Sequence, residues 1–186
     1  IEIGGCLVEA GFALIEVPLN SPDPLNSISK LAKKFGSHAM IGAGTVLRGN
    51  EVETITNAGG QIIISPNTNI DVILKTKSLD LISMPGIATI TEAFAALESG
   101  ADALKMFPAE GLSPSVLKAM RAVLPKNVPI LPVGGIGSDN MRDYISAGAQ
   151  GFGVGSSIYE RGKTTAEVAR DACKMISAWR ACDDMI

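Results

Sequence analysis

Residues 101–109 read Ala-Asp-Ala-Leu-Lys-Met-Phe-Pro-Ala and place one lysine, Lys105, in a short apolar run that ends at a proline. Other lysines of the chain, such as Lys33 and Lys34, lie in polar, helix-like segments. A buried ammonium is costly unless it is paired or loses its proton, and the neutral amine is the nucleophilic form. Lys105 is therefore a candidate for Schiff-base chemistry. The alternative is a lysine whose stem lies on apolar surface while its ammonium reaches water.

The composition indicates one globular domain, residues 1–186, with a well-filled core. The chain is 46% hydrophobic and 19% charged, and its net charge is -3. It has no basic patch, so we expect no nucleic-acid partner. No apolar run approaches the roughly 20 residues that a membrane helix needs, so we expect no membrane partner.

The cysteines and the single histidine limit which disulfide and metal sites the chain can form. Cys6, Cys173 and Cys182 have no paired spacing, which favours reduced thiols and a cytoplasmic protein. Ile1–Glu9 is helix-like and lacks the features of a signal peptide. With one histidine, His38, and no cluster of aspartates, we expect no metal site. The sequence also has no Walker loop and no dinucleotide-binding fingerprint.

One pattern repeats along the chain: a polar helical segment ends at glycine, and a short apolar strand follows. The predicted strands are Ala13–Asn20, Met40–Val46, Gln61–Asn67, Leu79–Ile87, Ala101–Pro108, Val128–Gly135 and Gly151–Ser156. The predicted helices between and after them are Pro24–Phe35, Asn50–Ala58, Ile70–Lys77, Thr91–Ser99, Pro114–Val123, Ser138–Ala147 and Thr164–Trp179. Capping boxes at Thr89 and Thr164 agree with these starts. Helices are expected to end at left-handed glycines: Gly11, Gly36, Gly59, Gly100 and Gly148.

Apolar strands that alternate with helices predict a parallel sheet covered by helices. The number of units favours a (β/α)8 TIM barrel over an open sheet, although such a barrel needs an eighth strand. The sequence begins on a helix, so the barrel lacks its first strand here, and we expect that strand to precede Ile1.

Active sites of such barrels lie at the carboxyl ends of the strands. Besides Lys105, these ends offer Glu16, Thr45, Pro66, Phe107, Gly134, Gly135, Gly155 and Ser156. Glu16 is the second ionisable residue in an apolar strand, which suits a general acid/base. Glu16 and Lys105 are alternatively a structural buried ion pair.

Two glycine-containing loops fit phosphate binding. Gly134-Gly135 follows the penultimate strand, and Gly155-Ser156 follows the last one. Backbone N–H groups at such loops form an anion nest, and barrels commonly bind phosphate there. Glycines that merely turn the chain are the alternative.

Five segments together resemble the class I aldolases of 2-keto-3-deoxy-6-phosphosugar acids, in order and over essentially the whole chain. They are Ile15–Pro22, Gly42–Val46, Ser65–Asn67, Leu104–Pro108 and Pro132–Ile136. The family has a gluconate and a galactonate branch. Asn20 and Val133 look like the galactonate branch, since the gluconate branch usually has arginine and threonine there.

The resemblance implies a homotrimeric carbon–carbon lyase that needs no cofactor. It implies that Lys105 forms an iminium with a phosphorylated keto sugar acid, that Glu16 moves protons, and that pyruvate and glyceraldehyde 3-phosphate result. Thr45 and Pro66 would line the pyruvate end of the site, and Phe107 would form one of its walls. Val133 would lie in the region of the site that bears on epimer choice. The family's first-strand arginine would precede Ile1. Rival interpretations are the gluconate epimer's aldolase, a phosphosugar isomerase or epimerase barrel, and a non-catalytic phosphosugar-binding barrel.

Overall fold

Helices and parallel strands alternate along the computed structural model, which describes residues 1–182. The strands are β1 (Leu14–Pro18), β2 (Met40–Gly44), β3 (Ile62–Ile64), β4 (Ile82–Met84), β5 (Gly86–Ile87), β6 (Leu104–Met106) and β7 (Ile130–Pro132). The helices are α1 (Glu2–Ala10), α2 (Pro24–Phe35), α3 (Gly49–Asn57), α4 (Ile70–Ser78), α5 (Ile90–Glu98), α6 (Pro114–Arg121), α7 (Met141–Ser146) and α8 (Thr165–Arg180), with a 3-10 turn at Ala109–Gly111.

The strands lie side by side in chain order, as a barrel requires. One sheet has the order β1-β2-β3-β4 and the other β5-β6-β7, and every pair is parallel. Pro85 is the single residue between β4 and β5, so the last strand of one sheet continues almost directly into the first strand of the other. Past β7, Val133 forms a parallel bridge with Gly153. The predicted α/β barrel-type architecture is thereby confirmed.

Apolar side chains fill both sides of this curved sheet. Ile62, Ile64 and Met84 form the cluster inside it, with Leu14, Met40 and Leu131 packed against them. Two larger clusters join the outer sheet face to the helices. A fully buried isoleucine contributes roughly 1.5–3 kcal/mol. This packing on both faces holds the strand ends in fixed positions.

Most of the predicted start and stop signals agree with the structure. Thr89 and Thr164 both form capping boxes with the glutamate three residues on. Gly36 is an exception, because its φ of -60° is right-handed. Glycine is needed there for space, since a Cβ would come 2.5 Å from the Ala32 carbonyl oxygen.

The last predicted strand, Gly151–Ser156, is shorter than expected and reduces to the single bridge at Gly153. Gly155 and Ser156, which the sequence predicts to belong to this strand, lie in an exposed loop. Each helix within residues 1–182 is too short or too polar to span a bilayer.

Candidate active site

Lys105 lies at the centre of β6 and is buried, with 7% of its surface exposed. Its strand neighbours Leu104 and Met106 are fully buried. Its Nζ lies 4.8 Å from the centroid of the Phe107 ring. Lys105 has no hydrogen-bond or ion-pair partner within residues 1–182. In the same range, every side-chain nitrogen or oxygen that is fully shielded from solvent does have a hydrogen-bond partner, so the Lys105 nitrogen is not fully shielded. Within the described residues the Lys105 nitrogen is therefore unpaired and retains some access to solvent.

Glu16 extends from the middle of β1 and is half-buried. Burial raises the pKa of its carboxyl group above the ordinary 4.5, and the positive charge of Lys105 opposes that shift. Among the ion pairs of the described residues, which have nitrogen–oxygen distances of 4.0 Å or less, there is no pair between Lys105 and Glu16. The two groups thus share an electrostatic environment without closing into a direct ion pair.

The end of β2 supports Glu16 and presents Thr45. The Glu16 carboxylate lies against the Cα of Gly44. Thr45 follows with φ of +56°, a left-handed conformation that β-branched residues rarely adopt. Ser65 fixes this turn, because its buried hydroxyl donates a 2.7 Å hydrogen bond to the Val46 carbonyl. Such backbone strain, held by its surroundings, is common at functional sites.

Pro66 and Val133 flank the lysine strand on either side in the sheet order. The Pro66 backbone packs closely on Gly86, which pairs with Lys105 in the strand register. Val133 follows β7, and its backbone N–H donates to the Met106 carbonyl at 3.0 Å. Phe107 is half-buried beside the Lys105 ammonium. The predicted residues Phe107, Pro66 and Val133 are therefore distributed around the carboxyl end of β6.

The two glycine loops meet in one cleft of about 450 Å³. Gly134, Gly135, Gly155 and Ser156 all line it. The backbone N–H groups of these four residues have no acceptor within residues 1–182. Gly134 and Gly135 have φ of +102° and +65°, which glycine adopts without strain. Loops of this kind present N–H groups to an anion.

Glu110 is a residue of this cleft that the sequence interpretation did not include. Its carboxylate lies over the Cα of Gly134, and its stem lies against Gly135. The nearby Tyr144 hydroxyl donates to the carbonyls of Ala109 and Leu112, at 3.0 and 3.1 Å, and so holds the 3-10 turn that carries Glu110. The one feature of the sequence that could have indicated Glu110 is its position two residues after Pro108, just past the lysine strand.

Among residues 1–182, no three or more His, Cys, Asp or Glu side chains lie together in a group that could hold a metal ion. The polar groups at the carboxyl ends of the strands include the Lys105 amine, the carboxyl groups of Glu16 and Glu110, and backbone amides. An amine with a nearby carboxyl group suits covalent catalysis on a carbonyl carbon, and the amides suit a bound anion.

Comparisons with known proteins agree with this chemistry. Residues 1–173 match the family described as KDPG and KHG aldolase. The chain is 40% identical to the 2-dehydro-3-deoxy-6-phosphogalactonate aldolase of Escherichia coli K12, over 95% of this chain and 86% of that protein. A solved native KDPGal structure, 39% identical, superposes with a TM-score of 0.97 over 98% of this chain and 89% of that one.

A KDPG aldolase structure from Legionella pneumophila is more distant, at 26% identity and a TM-score of 0.81. The alignment covers 97% of this chain and 85% of that one. It holds pyruvate captured at low pH as a covalent carbinolamine intermediate.

Proposed function

This chain belongs to the KDPG and KHG aldolase family, and on that premise we propose that it cleaves 2-dehydro-3-deoxy-6-phosphogalactonate to pyruvate and D-glyceraldehyde 3-phosphate. It is an aldolase, a carbon–carbon lyase of class I. The observation that carries the proposal is Lys105, a lysine buried on a central strand, whose nitrogen has no partner among residues 1–182 and retains some access to solvent. The covalent carbinolamine in the Legionella pneumophila relative supports the same chemistry.

Lys105 begins the reaction in its amine form. Its Nζ attacks the C2 ketone of the substrate, and loss of water from the resulting carbinolamine gives an iminium. The iminium accepts the electron pair of the C3–C4 bond as that bond breaks. The Phe107 ring, 4.8 Å from Nζ, offers its face to a positive charge at this nitrogen.

Glu16 moves the protons of the reaction. Its carboxylate takes the proton of the C4 hydroxyl, directly or through one water molecule, so that C4 leaves as an aldehyde. The same group then protonates C3 of the enamine, and water releases pyruvate from Lys105. Burial raises the pKa of Glu16, which brings the group closer to the range in which it can both accept and return a proton.

The rest of the site binds and orients the substrate. Thr45 and Pro66 line the pyruvate end, and Val133 contacts the region around C4. The backbone N–H groups of Gly134, Gly135, Gly155 and Ser156 bind the phosphate. The 450 Å³ cleft and its unpaired amides support this assignment.

Reductive trapping tests the proposal. Incubation with pyruvate and borohydride is expected to add a reduced pyruvate adduct to Lys105, located by peptide mass spectrometry. A protein that cleaves the substrate without such an adduct would overturn the Schiff-base mechanism. A protein that binds inorganic phosphate but neither forms the adduct nor cleaves substrate would be the non-catalytic barrel.

The Glu16→Gln variant tests the acid/base assignment. We expect it to form the adduct but to cleave the substrate roughly 10²- to 10⁴-fold more slowly, the usual contribution of a positioned acid/base. Single-turnover measurements separate adduct formation from cleavage. Wild-type turnover in this variant would show that another group moves the protons.

The gluconate epimer is the second candidate substrate, because the family includes KDPG aldolases. Val133 favours the galactonate epimer, since valine cannot donate a hydrogen bond where the gluconate branch usually has threonine. Comparison of kcat/KM on the two purified epimers decides between them.

We also propose a homotrimeric, cytoplasmic enzyme. Exposed apolar side chains recur on neighbouring elements: Leu47 before α3, Ile70 and Leu74 on α4, and Phe94 on α5. An apolar surface of this kind favours an interface between subunits. Sedimentation velocity is expected to give a trimer, and Leu74→Glu a smaller species. Free cysteines at Cys6, Cys173 and Cys182 are consistent with a reducing compartment.

A further inference from the structure

Gly44 is the residue on which the Glu16 carboxylate rests. A Cβ built on Gly44 would overlap Glu16 Oε2, lie 2.5 Å from Glu16 Cδ and lie 3.3 Å from Glu16 Oε1. These three atoms of one carboxylate are its nearest neighbours. The strand register explains the approach, because Glu16 pairs with Gly42 and Pro18 with Gly44 on the adjacent strand. The bare Cα of Gly44 therefore occupies the space next to the carboxylate.

The backbone conformation does not account for glycine at this position. The φ of Gly44 is not among the positive values, unlike that of Gly134. Space against the backbone explains other strand glycines, because a Cβ on Gly42 would meet the Ile62 carbonyl and one on Gly86 would meet the Pro66 backbone. At Gly44 the missing side chain makes room for a carboxylate instead.

Hydrogen bonds on both sides hold Gly44 in place. The Leu19 N–H donates to the Gly44 carbonyl at 2.9 Å, and the Val46 N–H donates to the Ile64 carbonyl at 3.2 Å. A side chain at residue 44 would therefore displace the more flexible partner, the end of Glu16. Because a displacement of about 1 Å can lower the rate of an enzyme about 10²-fold, the position of this carboxylate matters.

We propose that Gly44 is a positioning residue for the reaction: its lack of a side chain places the Glu16 carboxylate at the mouth of the barrel, within reach of the substrate carbons. This inference rests on the proposed function of Glu16. It predicts that Gly44→Ala impairs proton transfer while leaving the lysine chemistry in place.

A double-mutant cycle tests the proposal. Gly44→Ala is made in the wild-type chain and in a Glu16→Ala chain, and cleavage, pyruvate trapping and Tm are measured for all four proteins. In the wild-type background we expect cleavage to fall about 10²-fold, adduct formation on Lys105 to persist, and Tm to fall. In the Glu16→Ala background the clash is gone, so Gly44→Ala should lower neither the residual cleavage rate nor Tm further.

Gly5→Ala is the matched control, because a Cβ on Gly5 meets only an ordinary contact, 3.6 Å from the Phe35 ring. It should leave cleavage unchanged. Equal losses of activity and Tm from Gly44→Ala in both backgrounds would overturn the proposal, as would wild-type cleavage in Gly44→Ala. Failure of the proposed function would give a different result, because the wild-type chain itself would then form no pyruvate adduct on Lys105. The Tm cycle still reports the contact between residues 16 and 44 in that case, and also if Gly44→Ala proves too unstable for kinetics.

Discussion

The two ends of the proposed substrate site are built from different parts of the polypeptide. The reactive end uses side chains on packed strands, Lys105 at 7% exposure and half-buried Glu16. The phosphate end uses backbone N–H groups on loops, and Gly155 and Ser156 are exposed. Burial controls the ionisation of side chains, whereas peptide dipoles bind an anion without any change of protonation. The two ends should therefore fail separately when residues are changed.

Loss of the Lys105 amine is the largest expected effect. Lys105→Met keeps a buried, unbranched side chain but removes the nucleophile. We expect cleavage to fall on the order of 10⁵-fold or more and the borohydride adduct to disappear. We expect inorganic phosphate to raise the Tm of this variant and of the wild type equally, because the cleft amides are unchanged. Loss of phosphate stabilisation together with activity would show that the two ends are coupled.

A new charge at Ser156 tests the other end. Ser156→Asp adds a second carboxylate to the phosphate cleft, which Glu110 already lines, and like charges in contact repel. We expect KM for the phosphorylated substrate to rise roughly 10- to 100-fold, with part of the loss reversed by added salt. Trapping of pyruvate on Lys105 should continue at the wild-type rate, because pyruvate carries no phosphate.

Ser156→Ala is the control for that variant, because it removes the hydroxyl and keeps the amide. It should change KM only a few-fold. An Asp variant with wild-type KM would place the phosphate elsewhere.

The same contrast explains what the sequence could reveal. An ionisable residue in an apolar strand stands out locally, which is why Lys105 and Glu16 are candidates from the sequence alone. The strand–helix repeat predicts the barrel order that the structure confirms. Contacts between distant loops leave no local pattern. Glu110 and Gly134 are 24 positions apart in sequence, and nothing near Glu110 indicates that its carboxylate lies over that glycine. Gly44 is a similar case, since its neighbour Glu16 lies on another strand.

Val133 offers a smaller test, between the two ends. Val133→Thr keeps the branched shape and adds a hydroxyl near the proposed position of C4. One hydrogen bond contributes about 1 kcal/mol, so we expect the kcat/KM ratio of the gluconate to the galactonate epimer to rise roughly 5-fold. Rates on both purified epimers measure the ratio, and Val133→Ile is the control without a hydroxyl. An unchanged ratio would remove Val133 from substrate discrimination.

The smallest expected effect concerns stability at the reactive end. Burial raises the pKa of Glu16 above 4.5, so the folded chain favours the protonated carboxyl. Its contribution to stability is full below the ordinary pKa and is lost as the pH rises through the raised value. Glu16→Gln cannot ionise, so its Tm should exceed that of the wild type above that value, and the difference should shrink toward pH 4.

We expect Glu16→Gln to melt at a higher temperature than the wild type at pH 8, because only the wild-type carboxyl has to ionise there against its burial. Paired melts of the two proteins from pH 4 to pH 8 measure this difference in Tm. The exposed Glu98 provides the control, because Glu98→Gln removes a carboxyl that solvent already surrounds. An advantage of Glu16→Gln that is the same at every pH would show that shape, and not ionisation, causes the gain. An advantage that grows with pH would instead show that the buried carboxylate held for proton transfer lowers the stability of the fold.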